Sequence, residues 1–158
     1  MDRLQRLMIG HGLLVILVAM FAGFMLMFSL LGGFELWPGH FLPFRVYGTS
    51  EGWVRAHSGG AMNGLLVLVV GLALPKLNLS ARMQTLTAWG FIYVAWSFTV
   101  FYWLGNAAGN RGLSFGDNTF GSSDLAGVIA FLPGLPSVVI VVVLLGVAAR
   151  GVFSARAD

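Results

Sequence analysis

The chain contains no cysteine. Disulfides, thiolate-ligated haem, iron–sulfur clusters and cysteine zinc sites are therefore excluded. Histidine is left as the main metal-ligating side chain, and there are three. Charge is nearly as scarce. Only 9% of the 158 residues are charged, against about 25% in a soluble domain. With 58% hydrophobic residues and a mean hydropathy of +0.86, the chain falls in the membrane class before any motif is read. P-loop, GxSxG and HExxH motifs are missing, as is any repeat of fixed period. The chain is also too short for a transporter built from inverted repeats. The net charge of +3 reflects topology rather than affinity for nucleic acid, because the basic residues sit at the ends of apolar runs.

What is present is a set of long apolar runs. Residues 7–31 carry no charge. At about 1.5 Å per residue such a run exceeds a hydrocarbon core of about 30 Å, and it outruns the apolar region of about 7–15 residues in a signal peptide. Residues 32–50 read as a loop outside the bilayer. Ser50-Glu51 reads as an N-cap with a first-turn acid, opening a second span over 51–74. Pro75-Lys76 stops that span, and Asn78-Leu79-Ser80 caps a third over 81–104. A second polar loop covers 105–123. A fourth span covers 124–149, where Pro133 and Pro136 are expected to kink or break the helix. The expectation is a single all-α membrane domain over 1–158, a four-transmembrane-helix bundle of up-down topology. Arg3, Arg6, Lys76, Arg82, Arg150 and Arg156 fall on the side of the termini and Arg45, Arg55 and Arg111 on the other. That bias puts the termini in the cytoplasm.

The stretch 51–64, EGWVRAHSGGAMNG, is the chemically dense one. It places Arg55, His57, Ser58 and Asn63 at or within the membrane, where polar groups are expensive and usually functional. Ala56, Gly60 and Gly64 form a small-residue ridge at i, i+4, i+8, which permits close helix packing. The bland reading of His57 is a helix-end imidazole bonded to a carbonyl or a headgroup. A smooth surface beside it also suits a flat ligand such as haem. His11 sits at the opposite end of the bilayer, about 15 Å away in depth on a core of about 30 Å, so it and His57 should not clamp one iron. Within Gly10-His11-Gly12 it is expected to be structural. His40, in the first loop, stays open as a second ligand. A single axial histidine leaves the sixth iron position free, which favours binding chemistry over electron transfer.

His57 and Asn63 are six residues apart, so they point about 120° apart on one helix. They share a pocket most easily if it lies between subunits. Tyr102 is at a depth comparable with His57. Trp53 and Trp103 read as interfacial belt residues. Arg55 and Arg111 could hold haem propionates or pair with Glu51 and Asp117; the sequence does not choose.

In these segments the chain resembles the styrene oxide isomerases, small bacterial membrane enzymes. The resemblance is carried by Gly10-His11-Gly12, Gly33-Phe34-Glu35, Glu51-Gly52-Trp53, Arg55-Ala56-His57-Ser58-Gly59 and Asn63-Gly64. Leu74-Pro75-Lys76-Leu77, Phe101-Tyr102, residues 110–116 (NRGLSFG) and Phe120-Gly121 extend it to most of the chain. The resemblance implies a homotrimer in the bacterial inner membrane, with haem b between neighbouring subunits. It implies conversion of aryl epoxides to aldehydes by a Meinwald rearrangement with a 1,2-hydride shift, ferric haem acting as Lewis acid. His57 would be the iron ligand, and Asn63 and Tyr102 the substrate-orienting groups. The chain departs from the family pattern in its last span and tail, at Trp103 and at Ala107-Ala108-Gly109. Two other classes stay open: a small b-type cytochrome using His57 and His40, and a haem-free scaffold.

Overall fold

The computed structural model describes residues 1–154. Four long helices run as α1 (Arg3–Leu31), α2 (Ser50–Ala73), α3 (Ala81–Ala107) and α4 (Leu125–Phe153). A hairpin of β1 (Gly33–Trp37) and β2 (His40–Pro43) joins the first two. Three of the helices, α1, α2 with its terminal turn and α4, are long and apolar enough to cross a membrane. Helix α3 has comparable length, 27 residues, but carries Gln84, Thr85, Thr87, Ser97, Thr99 and Asn106.

Each helix starts on a side chain that accepts an otherwise orphaned N–H. Asp2 accepts from the Gln5 amide at 2.8 Å, and Gln5 returns a bond to the Asp2 amide. Ser80 caps α3 and Asp124 caps α4. At α2 the cap is Thr49, accepting from the Gly52 amide at 3.1 Å, not Ser50. The Ser50 hydroxyl is instead 2.9 Å from that of Ser29, tying the start of α2 to the end of α1. A 3-10 turn at Leu74–Lys76 ends α2.

Three further expectations are corrected. The first loop contains the hairpin. Pro38-Gly39 supplies its turn, with Gly39 at φ 84 and its amide bonded to the Glu35 carboxylate. Trp53 is not a belt residue. It is fully buried because 44–49 folds back over the start of α2; its indole donates to the Tyr47 carbonyl at 2.9 Å and meets Trp103 edge-on. Burial there pushes the Tyr47 phenol above its ordinary value. Lastly, of the kink or break expected at Pro133 and Pro136, the break does not occur, and α4 is continuous. The Ser137 hydroxyl donates back to the Pro133 carbonyl at 2.7 Å, a bond within the same turn.

Small residues set the packing. Gly12 and Gly64 lie so close that a Cβ on either would reach the other's carbonyl oxygen at 2.7–2.8 Å. Gly60 rests on Ala19 and Gly71 on Met8. The ridge of α2 therefore packs along Met8, Gly12, Val15, Ala19 and Ala22 of α1, all buried. On α4, Gly134 lies against Phe101 of α3, while Gly127 and Ala130 lie against Asn110 and Gly112 of the second loop. The ends of the bundle are clamped by polar bonds. Asn78 bonds to Gly151 and Ser154 at one end, and Thr49 bonds to Asn106 at the other. Arg3, Arg6, Lys76, Arg82 and Arg150 thus gather at the first end; Arg156 lies outside the described residues.

Candidate functional site

Helix α2 carries the site on two of its sides. On the first, His57 stands at the margin of the ridge that packs on α1. Its Nδ1 is 2.9 Å from the Ala19 carbonyl oxygen. A carbonyl can only accept, so Nδ1 carries a proton, and in the neutral ring Nε2 keeps its lone pair. A backbone carbonyl on one ring nitrogen is the usual way a metal-binding imidazole is oriented. The ring needs Gly23 beneath it, because a Cβ there would stand 2.9 Å from Nδ1 and 3.0 Å from Cε1.

On the second side lies Tyr102. Its ring covers Gly59 so closely that a Cβ would stand 2.8–2.9 Å from Cε2, Cζ and Oη. Gly52, Arg55 and Asn63 lie within about 40° of Gly59 around the helix, whereas His57 lies about 160° away. Within one chain, then, the structure brings Tyr102, Arg55 and Arg111 to one cavity of about 200 Å3, with Phe101, Asn106 and Phe120, and does not bring His57 there. The Asn63 side-chain nitrogen, on the same side of α2 as Gly59, is buried without a hydrogen-bond partner, a state that costs about 1–3 kcal/mol. The arc of α2 between the two sides is bare: Val54, Met62, Leu65, Val69 and Leu72 are all exposed.

Arg111 is held by its loop. It is the one non-glycine among the described residues in the left-handed region, at φ 58, and Gly112 follows at φ 65. Asn110 enforces this turn. It is fully buried, donates to the Ser114 and Gly116 carbonyls and accepts from the Gly112 amide. The Arg111 guanidinium lies 4.3 Å over the Phe120 ring. Asp117 bonds to the Ser123 amide, and among the described residues no acid lines the cavity. The other histidines are engaged elsewhere. His11 Nδ1 accepts from the Trp96 indole at 3.1 Å, and His40 stacks on Trp37 at 4.3 Å.

The family model described as "Styrene oxide isomerase" matches residues 4–153. The chain is also 42% identical over 129 residues to the styrene-oxide isomerase of Pseudomonas fluorescens, covering 82% of this chain and 76% of that one. The chain belongs to the styrene oxide isomerase family.

Within this family member, sequence reasoning missed the supports of the site. Gly23, Gly59, Asn106 and Asn110 each hold a neighbour in place. Of these, Gly59 and Asn110 lay inside stretches the sequence had singled out, residues 51–64 and 110–116, whereas Gly23 and Asn106 carried no local signal.

Proposed function

We infer that this protein converts aryl epoxides of the styrene oxide type to aldehydes of the phenylacetaldehyde type, using a haem b bound through His57. The observation that carries the reading is the setting of His57, with Nδ1 tied to a carbonyl, Nε2 free and Gly23 clearing space for the ring. Family membership supports the reaction class.

The residues fit the cofactor. Neutral imidazole is a suitable axial donor, and Arg55 and Arg111 suit the two propionate carboxylates by charge and by the lack of a competing acid in the cavity. When bound, ferric haem supplies Lewis acidity toward the epoxide oxygen. Tyr102 and the unpartnered Asn63 amide donate hydrogen bonds to that oxygen and fix the epoxide for opening at the benzylic carbon. The aryl ring stabilises the cation formed there. A hydride moves from the neighbouring carbon, whose oxygen becomes the aldehyde carbonyl. This is a Meinwald rearrangement with a 1,2-hydride shift, and it consumes no reductant. Phe98 and Phe101, packed against Tyr102, keep water from capturing the cation as a diol.

The bare arc of α2 favours a homotrimer in which His57 of one subunit faces Asn63 and Tyr102 of the next. Three apolar helices support a membrane location. We take α3 as the fourth span, in a bacterial inner membrane, with the more basic end of the bundle and the termini in the cytoplasm. Purified protein should show a Soret band, and should turn styrene oxide into phenylacetaldehyde without added reductant. Haem-free protein, or diol as the product, overturns the assignment.

A further inference from the structure

The cleft between α3 and α4 enters the chemistry above only through Phe98 and Phe101, which pack against Tyr102. It is a cavity of about 210 Å3 lined by Phe98, Phe101, Phe131, Gly134, Leu135 and Val138, with no charged side chain. Phe101 and Leu113 line both this cleft and the arginine-rimmed cavity, so the two spaces share a wall. Its outer lip, Leu135 and Val138, is 53% and 52% exposed on a helix apolar enough to cross a membrane. The inner constriction is Gly134, where a Cβ would stand 3.1 Å from Phe101 Cδ2.

The backbone at this level is unusual as well. Pro133 and Pro136 lack the N–H groups that would bond to the Ile129 and Leu132 carbonyls. Helix α4 therefore loses two ladder bonds in the turn that forms one wall of the cleft, and this turn can bend at lower cost than the rest of the helix.

We propose that the α3–α4 cleft is a lateral portal, through which an aryl epoxide dissolved in the bilayer reaches the site with its ring between Phe101 and Phe131. This rests on the epoxide-isomerase reading. An apolar epoxide concentrates in the hydrocarbon phase, and the cleft meets it there with aromatic walls suited to an aryl ring. The other entrance to the shared wall passes the Arg55 and Arg111 rim, where charged, hydrated groups favour water over an aryl ring. The width at Gly134 then sorts substrates by the bulk of the ring.

The test narrows the portal at two depths. Leu135→Trp blocks the exposed lip, where folding is least affected, and Gly134→Ala narrows the constriction. Both should raise KM for styrene oxide about tenfold with kcat within about twofold, the signature of impaired access rather than impaired chemistry. Epoxides with larger aryl groups should suffer more. Val142→Trp, two turns further along the exposed side of α4, should change neither constant. A phenyl diazirine probe in lipid vesicles should label residues 131–138. If the wild type makes no aldehyde, the isomerase reading fails, and the labelling still reports on the cleft. If the wild type is active but both variants keep its KM across the panel, or label appears only on α1 and α2, the portal is refuted.

Discussion

Gly23→Ala isolates the link between helix packing and cofactor affinity. The added methyl would stand 2.9 Å from His57 Nδ1 and 3.0 Å from Cε1, an overlap worth about 1–3 kcal/mol if nothing moves. Two motions relieve it. Helix α1 can part from α2, which breaks the Gly12–Gly64 approach and the small-residue contacts along both helices. The imidazole can instead turn, which stretches one 2.9 Å bond to Ala19. The second is cheaper, so the ring yields. Loss of such an outer hydrogen bond lowers metal affinity about 10–100-fold, or about 1.4–2.7 kcal/mol. Helix propensity works the other way, with Ala gaining about 0.8–1.0 kcal/mol over Gly, so the apoprotein should melt no lower than wild type. Haem titration of apoprotein, followed at the Soret band, should show Kd raised 10–100-fold as estimated. Gly59→Ala is the counterpart. Its methyl meets the Tyr102 ring at 2.8–2.9 Å, so haem affinity should hold while kcat falls by about a hundredfold, as for loss of one oriented donor. Unchanged haem affinity in Gly23→Ala, or haem loss in Gly59→Ala, refutes the division of α2 into two working sides.

Further outcomes follow from the same geometry. His57→Ala should lose haem and activity together, whereas His11→Ala, which removes only the Trp96 bond, should keep most of the haem; absorbance at the Soret band decides. Turnover should be full in air and slower after dithionite, since ferrous iron is the weaker Lewis acid, and equal rates would count against a non-redox role. Co-expression of His57→Ala with the double variant Asn63→Ala/Tyr102→Phe should restore part of the activity that neither shows alone. Mixed oligomers that bind haem yet stay inactive would place all three residues in one subunit.

The helices were legible because their signals are local. Apolar runs of sufficient length, Ser80 as a cap, and Pro75 as a stop lie within a few residues of what they control. The divergence of His57 and Asn63 was legible for the same reason, since helical phase needs no partner. The hairpin also had a local signal, Pro38-Gly39 between Phe34-Glu35-Leu36-Trp37 and His40-Phe41-Leu42, but polarity and position suggested only a loop. The burial of Trp53 depends on how 44–49 folds back, which no periodicity encodes. The same holds for Gly23 beneath His57 and Tyr102 over Gly59. Each pairs residues on different helices, and the match depends on a crossing angle and axial offset that emerge only when the helices pack.

The two closest helix pairings, α1 with α2 and α3 with α4, join neighbours in sequence. Each pair can close as soon as its second helix has been synthesised and inserted, before anything downstream exists. The carbonyl of Ala19 and the space at Gly23 belong to the first pair, so the setting of the His57 ring forms while the ribosome is still making the second half. Tyr102 and the Asn110 turn arrive later. Biogenesis thus separates the setting of His57 from that of Tyr102, and a chain truncated after α2 would retain the first without the second.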